Sequence, residues 1–462
     1  MSSIDGTIVS VGLDAMQVDL TTTLALVGWT LTAYMLTQTV VMPMAGKISD
    51  DWGRKRLFLG SIALFTASSI AAGLAPNIYW LIVFRVVQAI GGGVFMPCAV
   101  GIVGDTFGER RHTWIGLFTA IFPLGGIIGP NIGGVIIDHL SWRWMFFVNG
   151  PIGLLLLVAG LRVLPPSRPI AQKRPLDMVG ASLFAAGLVT ALAGLTNWAN
   201  HPDEASSFFS VWLLVMVGIM LLIVFLWHET RTEFPMVELG LLKRKEFAAA
   251  NAYAFLFGSA VFGFFNFMPY YAIVGFGLSA AKSGELLTPR SVASMLFSLL
   301  ASFSLTRFGY RLPMIVGLAM IAACMFLLSL GFHDVTMFGT HIPNSVLLAM
   351  ETMLAGIGTG ICNPASQNAA LDLHPDKIGA VAGLRGMFSQ VGGILGTTGV
   401  ILALSHFSDK RVGMDHVFLF SGIILLIAIP FVLMIPDRKR SPAPRTAPAP
   451  TPITAATPSK TR

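Results

Sequence analysis

The chain of 462 residues reads as an all-α, polytopic membrane protein. Three observations point there. Hydrophobic residues make up 54% and charged residues 11%, whereas a soluble chain of this length carries about 25% charged residues. The apolar residues are gathered into runs long enough to cross a bilayer, at 24–45, 57–75, 78–102, 113–137, 144–164, 177–196, 211–228, 248–275, 284–305, 313–331, 346–368, 379–404 and 416–435. The Lys/Arg residues sort into alternate connections between those runs, as the positive-inside rule requires.

The segment before the first full run is short. Ile4-Asp5-Gly6-Thr7-Ile8-Val9 through Leu13 is apolar, yet roughly 20 Å of helix cannot cover the roughly 30 Å of a hydrocarbon core. It reads as a partial first span, apparently truncated: either the outer half of a helix that begins upstream of Met1, or an incomplete helix. With it the spans number fourteen. Asp5 lies amid apolar residues instead of on a polar face, which argues against an interfacial helix. No secretory signal peptide is expected ahead of the spans.

The turn Gly46-Lys47-Ile48-Ser49-Asp50-Asp51-Trp52-Gly53-Arg54-Lys55-Arg56 sets the orientation. If it lies inside, 23 of the 30 Lys/Arg fall in inside connections, the tail or, as Arg162, the inner end of a span, four outside (Arg143, Lys282, Lys410, Arg411) and three deep within spans (Arg85, Arg290, Arg385). Both ends of the protein are then cytoplasmic. The spacing of Gly46, Asp50, Gly53 and Lys55 returns as Ser302, Thr306, Gly309 and Arg311, so two parallel halves are expected, with the acid missing from the second copy. The organisation that follows is an amino-terminal bundle (1–164), two additional spans with their linkers (165–247), a carboxy-terminal bundle (248–435) and a disordered basic tail (436–462) rich in Pro, Ala, Ser and Thr.

Several function classes are excluded or weakened. The net charge of +7 reflects topology, because the basic residues sit in short clusters between apolar runs, so no nucleic-acid partner is expected. Cys98, Cys324 and Cys362 lie inside apolar runs without CxxC spacing and read as packing residues. There is no GxxxxGK[ST] loop for a nucleotide-driven pump and no HExxH for a membrane metalloenzyme, so no cofactor or metal is expected.

Further motifs carry a resemblance. The Gly46–Lys55 turn, Arg85-Val86-Val87-Gln88-Ala89, the Gly125-Gly126-Ile127-Ile128-Gly129-Pro130-Asn131-Ile132-Gly133-Gly134 segment, and Trp142-Arg143-Trp144 with Phe146, Asn149 and Pro151 together resemble the major facilitator superfamily. Within it they resemble the fourteen-span drug:proton antiporters of the EmrB/QacA type. The resemblance implies two pseudo-symmetric six-helix bundles plus two extra central spans. It also implies proton-coupled export of lipophilic or cationic small molecules across the bacterial inner membrane, with protons and substrate as partners, the lipid bilayer as surroundings and a periplasmic adaptor left open. On the same fold, export or import of a specific metabolite is the alternative, as is a transport-incompetent remnant given the short first span.

Site expectations follow from that resemblance and from depth. At 1.5 Å per residue Asp5 and Arg85 lie at about the same level, roughly 10–12 Å from the outer ends of their spans, which makes them the expected proton-coupling pair. Gly46, Asp50, Gly53, Arg54 and Lys55 are the expected gating turn, with Asp50 facing the helix that begins near Ile378. Gly125, Gly129, Pro130, Gly133 and Gly134 form the implied antiporter motif, whose small residues allow close helix contact. Trp29, Tyr34, Phe122, Phe264, Phe265 and Asn266 are candidate walls of a central cavity, and Gln88 is a further intramembrane polar candidate. Arg290 and Glu351 each lie about 9 Å from the outer ends of their spans, either pairing or standing as separate vestibule charges. Arg385 departs from the family pattern, in which the arginine stands at Ser389.

Overall fold

The computed structural model describes residues 1–107, 122–164, 177–200, 205–237, 239–332, 336–337, 340–374 and 378–437. The amino-terminal part holds α1 (Ser2–Val11), α2 (Leu13–Asp19), α3 (Leu24–Trp52), α4 (Arg54–Gly73), α5 (Ile78–Phe107), α6 (Phe122–His139), α7 (Trp144–Phe147) and α8 (Asn149–Val163). Next come α9 (Met178–Asn200) and α10 (Ala205–Glu229), then α11 (Lys245–Phe276), α12 (Ala280–Glu285), α13 (Leu287–Phe308) and α14 (Arg311–Ser329). The chain closes with α15 (Asn344–Leu373), α16 (Ile378–His406), α17 (Lys410–Ile427) and α18 (Ile429–Met434). A two-residue ladder, β1 (Thr336–Met337) with β2 (Thr340–His341), precedes α15.

Among the described residues, eleven helices are long and apolar enough to cross a membrane. The other expected spans differ for visible reasons. The first helix is only 10 residues long, the helix at 113–137 is described only from Phe122, and α13 carries Arg290 together with a run of serines that lowers its hydropathy. The outward flank of α10 is apolar. Trp212, Leu213, Met216, Met220 and Ile223 are all exposed, because the hydrocarbon of the bilayer, not water, solvates them.

The two halves pack by the same rule. In the first, α1 lies on α6, α3 and α4 both pack on α5, and α4 packs on α8; in the second, α11 lies on α16, α13 and α14 both pack on α15, and α14 packs on α17. Two symmetric seams join the halves, α3 against α16 and α6 against α12 and α13. The additional pair α9–α10 attaches through α9, which rests over the α3–α16 seam. There the Trp29 indole donates to Thr196 Oγ1 at 2.7 Å.

The repeated turn is also visible in the backbone. Gly53 (φ 88°) and Gly309 (φ 71°) precede α4 and α14 in conformations that side chains rarely adopt. Two residues later, each half places a cation on the carbonyls that end its last helix. Lys55 Nζ donates to Leu164 O at 2.6 Å and Leu161 O at 3.1 Å, and Arg311 Nε donates to Ile435 O at 2.7 Å. A cation suits the negative end of a helix dipole, so Lys55 and Arg311 pin the turn to the bundle as well as marking its side.

Candidate functional site

Asp5 is the centre of a buried polar cluster. Its Oδ2 accepts from Arg85 Nη1 at 2.6 Å, and its Oδ1 accepts from Gln88 Nε2 at 2.8 Å and Asn149 Nδ2 at 2.9 Å. Both charged side chains are 0% exposed. All three partners are donors, so the pocket is complementary to a carboxylate; a proton arriving on Asp5 has to displace one of them. Arg85 is held in turn by Gln88 Oε1 at 2.7 Å, by the Thr30 carbonyl at 3.1 Å and by the face of Tyr34, 4.0 Å from the ring centroid. Its Nη2 has no acceptor among the described residues. Asn149 also donates to Ser69 Oγ at 3.0 Å, and Ser69 donates to the Phe146 carbonyl at 2.9 Å.

Sequence spacing explains why these residues meet. Arg85 and Gln88 are three apart on α5 and therefore share a face. Asn149 opens α8, just past the single turn of α7 that Trp142-Arg143 leads into. That motif is fastened by a residue the sequence did not single out. Asp19 Oδ2 accepts from Arg143 Nη1 at 2.6 Å and from Trp142 Nε1 at 2.9 Å. These bonds, the Arg143 one first, hold the Asp19 carboxyl below the usual carboxylate range. No sequence signal distinguished Asp19 from Asp14.

Helix α6 presents small residues on two faces. Along one, a side chain on Gly125 would strike Ser3, one on Gly129 would strike Thr7 and lie 2.8 Å from the Ile4 carbonyl, and one on Gly133 would lie 2.6 Å from Ile8. The Thr7 hydroxyl rests 2.9 Å from the Gly125 carbonyl. The other face turns to the carboxy-terminal half. A methyl on Gly134 would sit 2.6 Å from the Ala280 carbonyl, the Pro130 carbonyl lies under Gly284, and Asn131 Nδ2 donates to Thr288 Oγ1. Asp138 Oδ2 completes this seam by accepting from Ala281 N at 3.0 Å, at the start of α12. The helix that carries Asp5 thus communicates with the opposite half through α6 and also touches α11 and α12 directly.

The remaining candidates divide. Asn266 reaches the centre between halves, where its Nδ2 lies 3.5 Å from Thr397 Oγ1 and 4.0 Å from Met35 Sδ. Phe264 is 0% exposed and packs on Phe265 and Phe418, so it belongs to the core of one half and not to a cavity wall. Trp29 borders a cavity of about 10 Å³ with Ala25, Thr32, Leu195, Thr196, Thr398 and Ile401, room for about one water and far short of the several hundred Å³ of a small-molecule site. Arg385 Nη2 donates to Ser366 Oγ at 2.7 Å, tying α16 to α15. Arg290 and Glu351 are not ion-paired among the described residues: the Arg290 guanidinium lies 3.5 Å over the Phe265 ring instead. The side chains of Asp50 and Phe122, the surroundings of Gly46 and the segment just before Ile378 lie outside what is described.

A family model described as Major Facilitator Superfamily matches residues 1–397 and 253–460. The "Multidrug resistance protein B homolog" of Mycobacterium tuberculosis is 34% identical over 411 residues, 88% of this chain and 74% of that protein. The "Multidrug transporter protein MdtP" of Bacillus subtilis is 30% identical over 404 residues, 86% and 72% of the two chains. The "Tetracenomycin C resistance and export protein" of Streptomyces glaucescens is 29% identical over 409 residues, 87% and 74%. The inward-open structure of the xylose transporter XylE from E. coli superposes with a TM-score of 0.64 at 14% identity, covering 95% of this chain and 94% of that one. At that identity the likeness speaks for the fold alone.

Proposed function

Because the chain belongs to the major facilitator superfamily, we propose that it is a fourteen-span secondary exporter of lipophilic or cationic toxic small molecules, driven by exchange for protons. The multidrug and drug-export names of its relatives support the substrate class. The partition of Lys/Arg supports a bacterial inner membrane protein with the Gly53 end of the bundle and both termini on the cytoplasmic side. Residues 1–164 and 248–435 are the two halves that rock about the seams, with 165–247 as an appended pair of spans.

The observation that carries the reading is Asp5 on Arg85, at 2.6 Å with both side chains fully buried. An acid held by a cation and two amides keeps its charge until something changes that shell. When the Asp138 end opens, water reaches Asp5, a proton replaces the Arg85 contact, and α1 is loosened from α5. Because α1 lies against α6 through Gly125, Gly129 and Gly133, and α6 against α12 and α13 through Gly126, Pro130 and Gly134, that loosening is felt at the seam. Drug release and proton uptake are linked through this path and through the direct contacts of α1 with α11 and α12. At the opposite end, Asp50 closes the gate against the start of α16, and Arg54 and Lys55 attract it when the gate parts.

Ethidium serves as the probe. In everted membrane vesicles, Asp5→Asn should remove ethidium-dependent proton release and energised ethidium uptake while the protein remains in the membrane at wild-type amount. Unchanged uptake would overturn the assignment of Asp5 as the coupling residue.

A further inference from the structure

The carboxy-terminal half holds a polar cluster in the position of the Asp5–Arg85 cluster, with the charge inverted. Helices α5 and α15 are equivalent by packing and are both 30 residues long. Arg85 is seven residues on from Ile78, the first residue of α5, and Glu351 is seven residues on from Asn344, the first of α15. Where the amino-terminal half places its arginine, the other half places an acid. The neighbours correspond as well. In the first half Asn149 of the last helix bonds Asp5 of the first; in the second, Tyr271 of α11 donates to Asp415 of α17 at 2.8 Å.

Glu351 is 8% exposed and has no hydrogen-bond donor or cation on it among the described residues. The titratable and charged groups around it come from four helices. Cys324 of α14 and Tyr271 of α11 lie within electrostatic reach of Glu351, and Arg290 of α13 within reach of Cys324, its guanidinium over the Phe265 ring. Asp415 and Arg411 of α17 stand behind Tyr271; Arg411 is engaged by the Gly331 carbonyl at 2.9 Å. A bare carboxylate at that depth, without donor or counter-ion, is strongly disfavoured.

We infer that Glu351 is a second proton-carrying site: it holds its proton in this packing of the helices and exchanges it through the Tyr271 hydroxyl with Asp415 at the Asp138 end of the bundle. The Glu351 proton passes, by way of water, to the Tyr271 oxygen; Tyr271 gives its own hydroxyl proton to the half-exposed Asp415 carboxylate, which returns it to solvent. Tyr271 ends as it began, and one proton has left. The two halves then use complementary chemistry, a carboxylate that must be protonated to let go of an arginine and an acid that must lose a proton to become a charge. In transport this role rests on the reading of the chain as a proton-coupled exporter, whereas the protonated carboxyl itself does not.

Infrared spectroscopy of the purified full chain in lipid nanodiscs at pH 7, with no substrate, separates the two. The wild type should show a protonated-carboxyl band that is lost in Glu351→Gln and kept in Asp5→Asn. Tyr271→Phe should keep the band but slow its exchange in deuterated water. Persistence of the same band in Glu351→Gln, or its absence from the wild type, would overturn the inference. Glu351→Asp guards against misfolding: it should restore a band, shifted, and a folded Glu351→Asp protein without one counts against the proposal. Loss of ethidium transport in Asp5→Asn has no bearing on this band, so the two readings fail separately.

Discussion

Removing the acid at position 5 should destabilise the protein more than removing the acid and the arginine together. In Asp5→Asn the Arg85 guanidinium stays fully buried but loses its counter-ion, leaving neutral partners: Gln88 Oε1, the Thr30 carbonyl, the Tyr34 and Phe146 faces and the asparagine oxygen. Taking one partner from a buried ion pair costs about 3–5 kcal/mol, and the neutral hydrogen bond that the asparagine oxygen still accepts returns about 1 kcal/mol. The single variant should therefore lose about 2–4 kcal/mol, being the difference of those two figures. The double variant Asp5→Asn, Arg85→Gln exchanges the pair for two amides and should recover most of it, since buried pairs replaced as a unit are often close to neutral. Thermal unfolding of the four proteins of this cycle in one detergent, followed by loss of monodispersity, gives the coupling. A double variant that melts at the sum of the two single losses would refute the view that the pair, rather than each residue's packing, holds α1 on α5.

Other expected outcomes test the seams and ends. Gly129→Leu drives a side chain into Thr7 and the Ile4 carbonyl, and Gly134→Leu into Ala280 and Ala281; the first should abolish ethidium efflux by parting α1 from α6. The second should hold the Asp138 end open, read as faster labelling of a cysteine placed at Asp138. Lys55→Ala and Arg311→Ala should each cost about 1 kcal/mol of thermal stability through the lost bonds to helix-ending carbonyls, and a large loss in one with none in the other would contradict the repeat. Asp19 has a lowered folded-state pKa, so its bond to Arg143 contributes above the unfolded value of 3.8 and disappears as pH falls below that. With side chains 32% and 48% exposed, the contribution should not exceed about 1 kcal/mol. Asp19→Asn should therefore flatten only the acid limb of a stability–pH profile, a difference that repeated melts between pH 3 and pH 7 would detect.

The parts of the fold set by one-dimensional physics were legible in the sequence. Apolar run length located the helices, and the Lys/Arg clusters located the turn whose Gly53 and Gly309 both adopt positive φ. Depth along a helix placed Asp5 level with Arg85, because a rise of 1.5 Å per residue holds regardless of partners. Azimuth was not legible. A run that is apolar all round gives no signal of which face meets protein and which meets lipid, so Phe264 read as a cavity wall and proved to be core. Arg290 and Glu351 were level by the same depth count that placed Asp5 and Arg85, yet helix rotation carries Arg290 onto the Phe265 ring. Asp19, from a polar connection, could be assigned to Trp142 and Arg143 only in three dimensions.

The turn at Gly309 has an acid although its copy of the repeat lacks one. Its copy of Asp50 is Thr306, which suggested that acid chemistry there belonged to the first half alone. In the structure an acid nevertheless sits at that turn, supplied from elsewhere: Asp437, just past α18, accepts from Tyr310 N at 2.8 Å and Arg311 N at 3.4 Å, and Tyr310 Oη donates to Asp372 at 2.6 Å. The start of α14 is thus tied to the ends of α15 and α18 inside one half. An acid that satisfies a helix start within its own bundle stiffens that bundle. An acid that reaches across to the other half, as proposed for Asp50, resists the rocking itself. On the proposed reading the asymmetry of the two turns divides a fixed clamp from a releasable one, and Asp437→Asn should lower thermal stability while leaving the pH dependence of ethidium efflux in place.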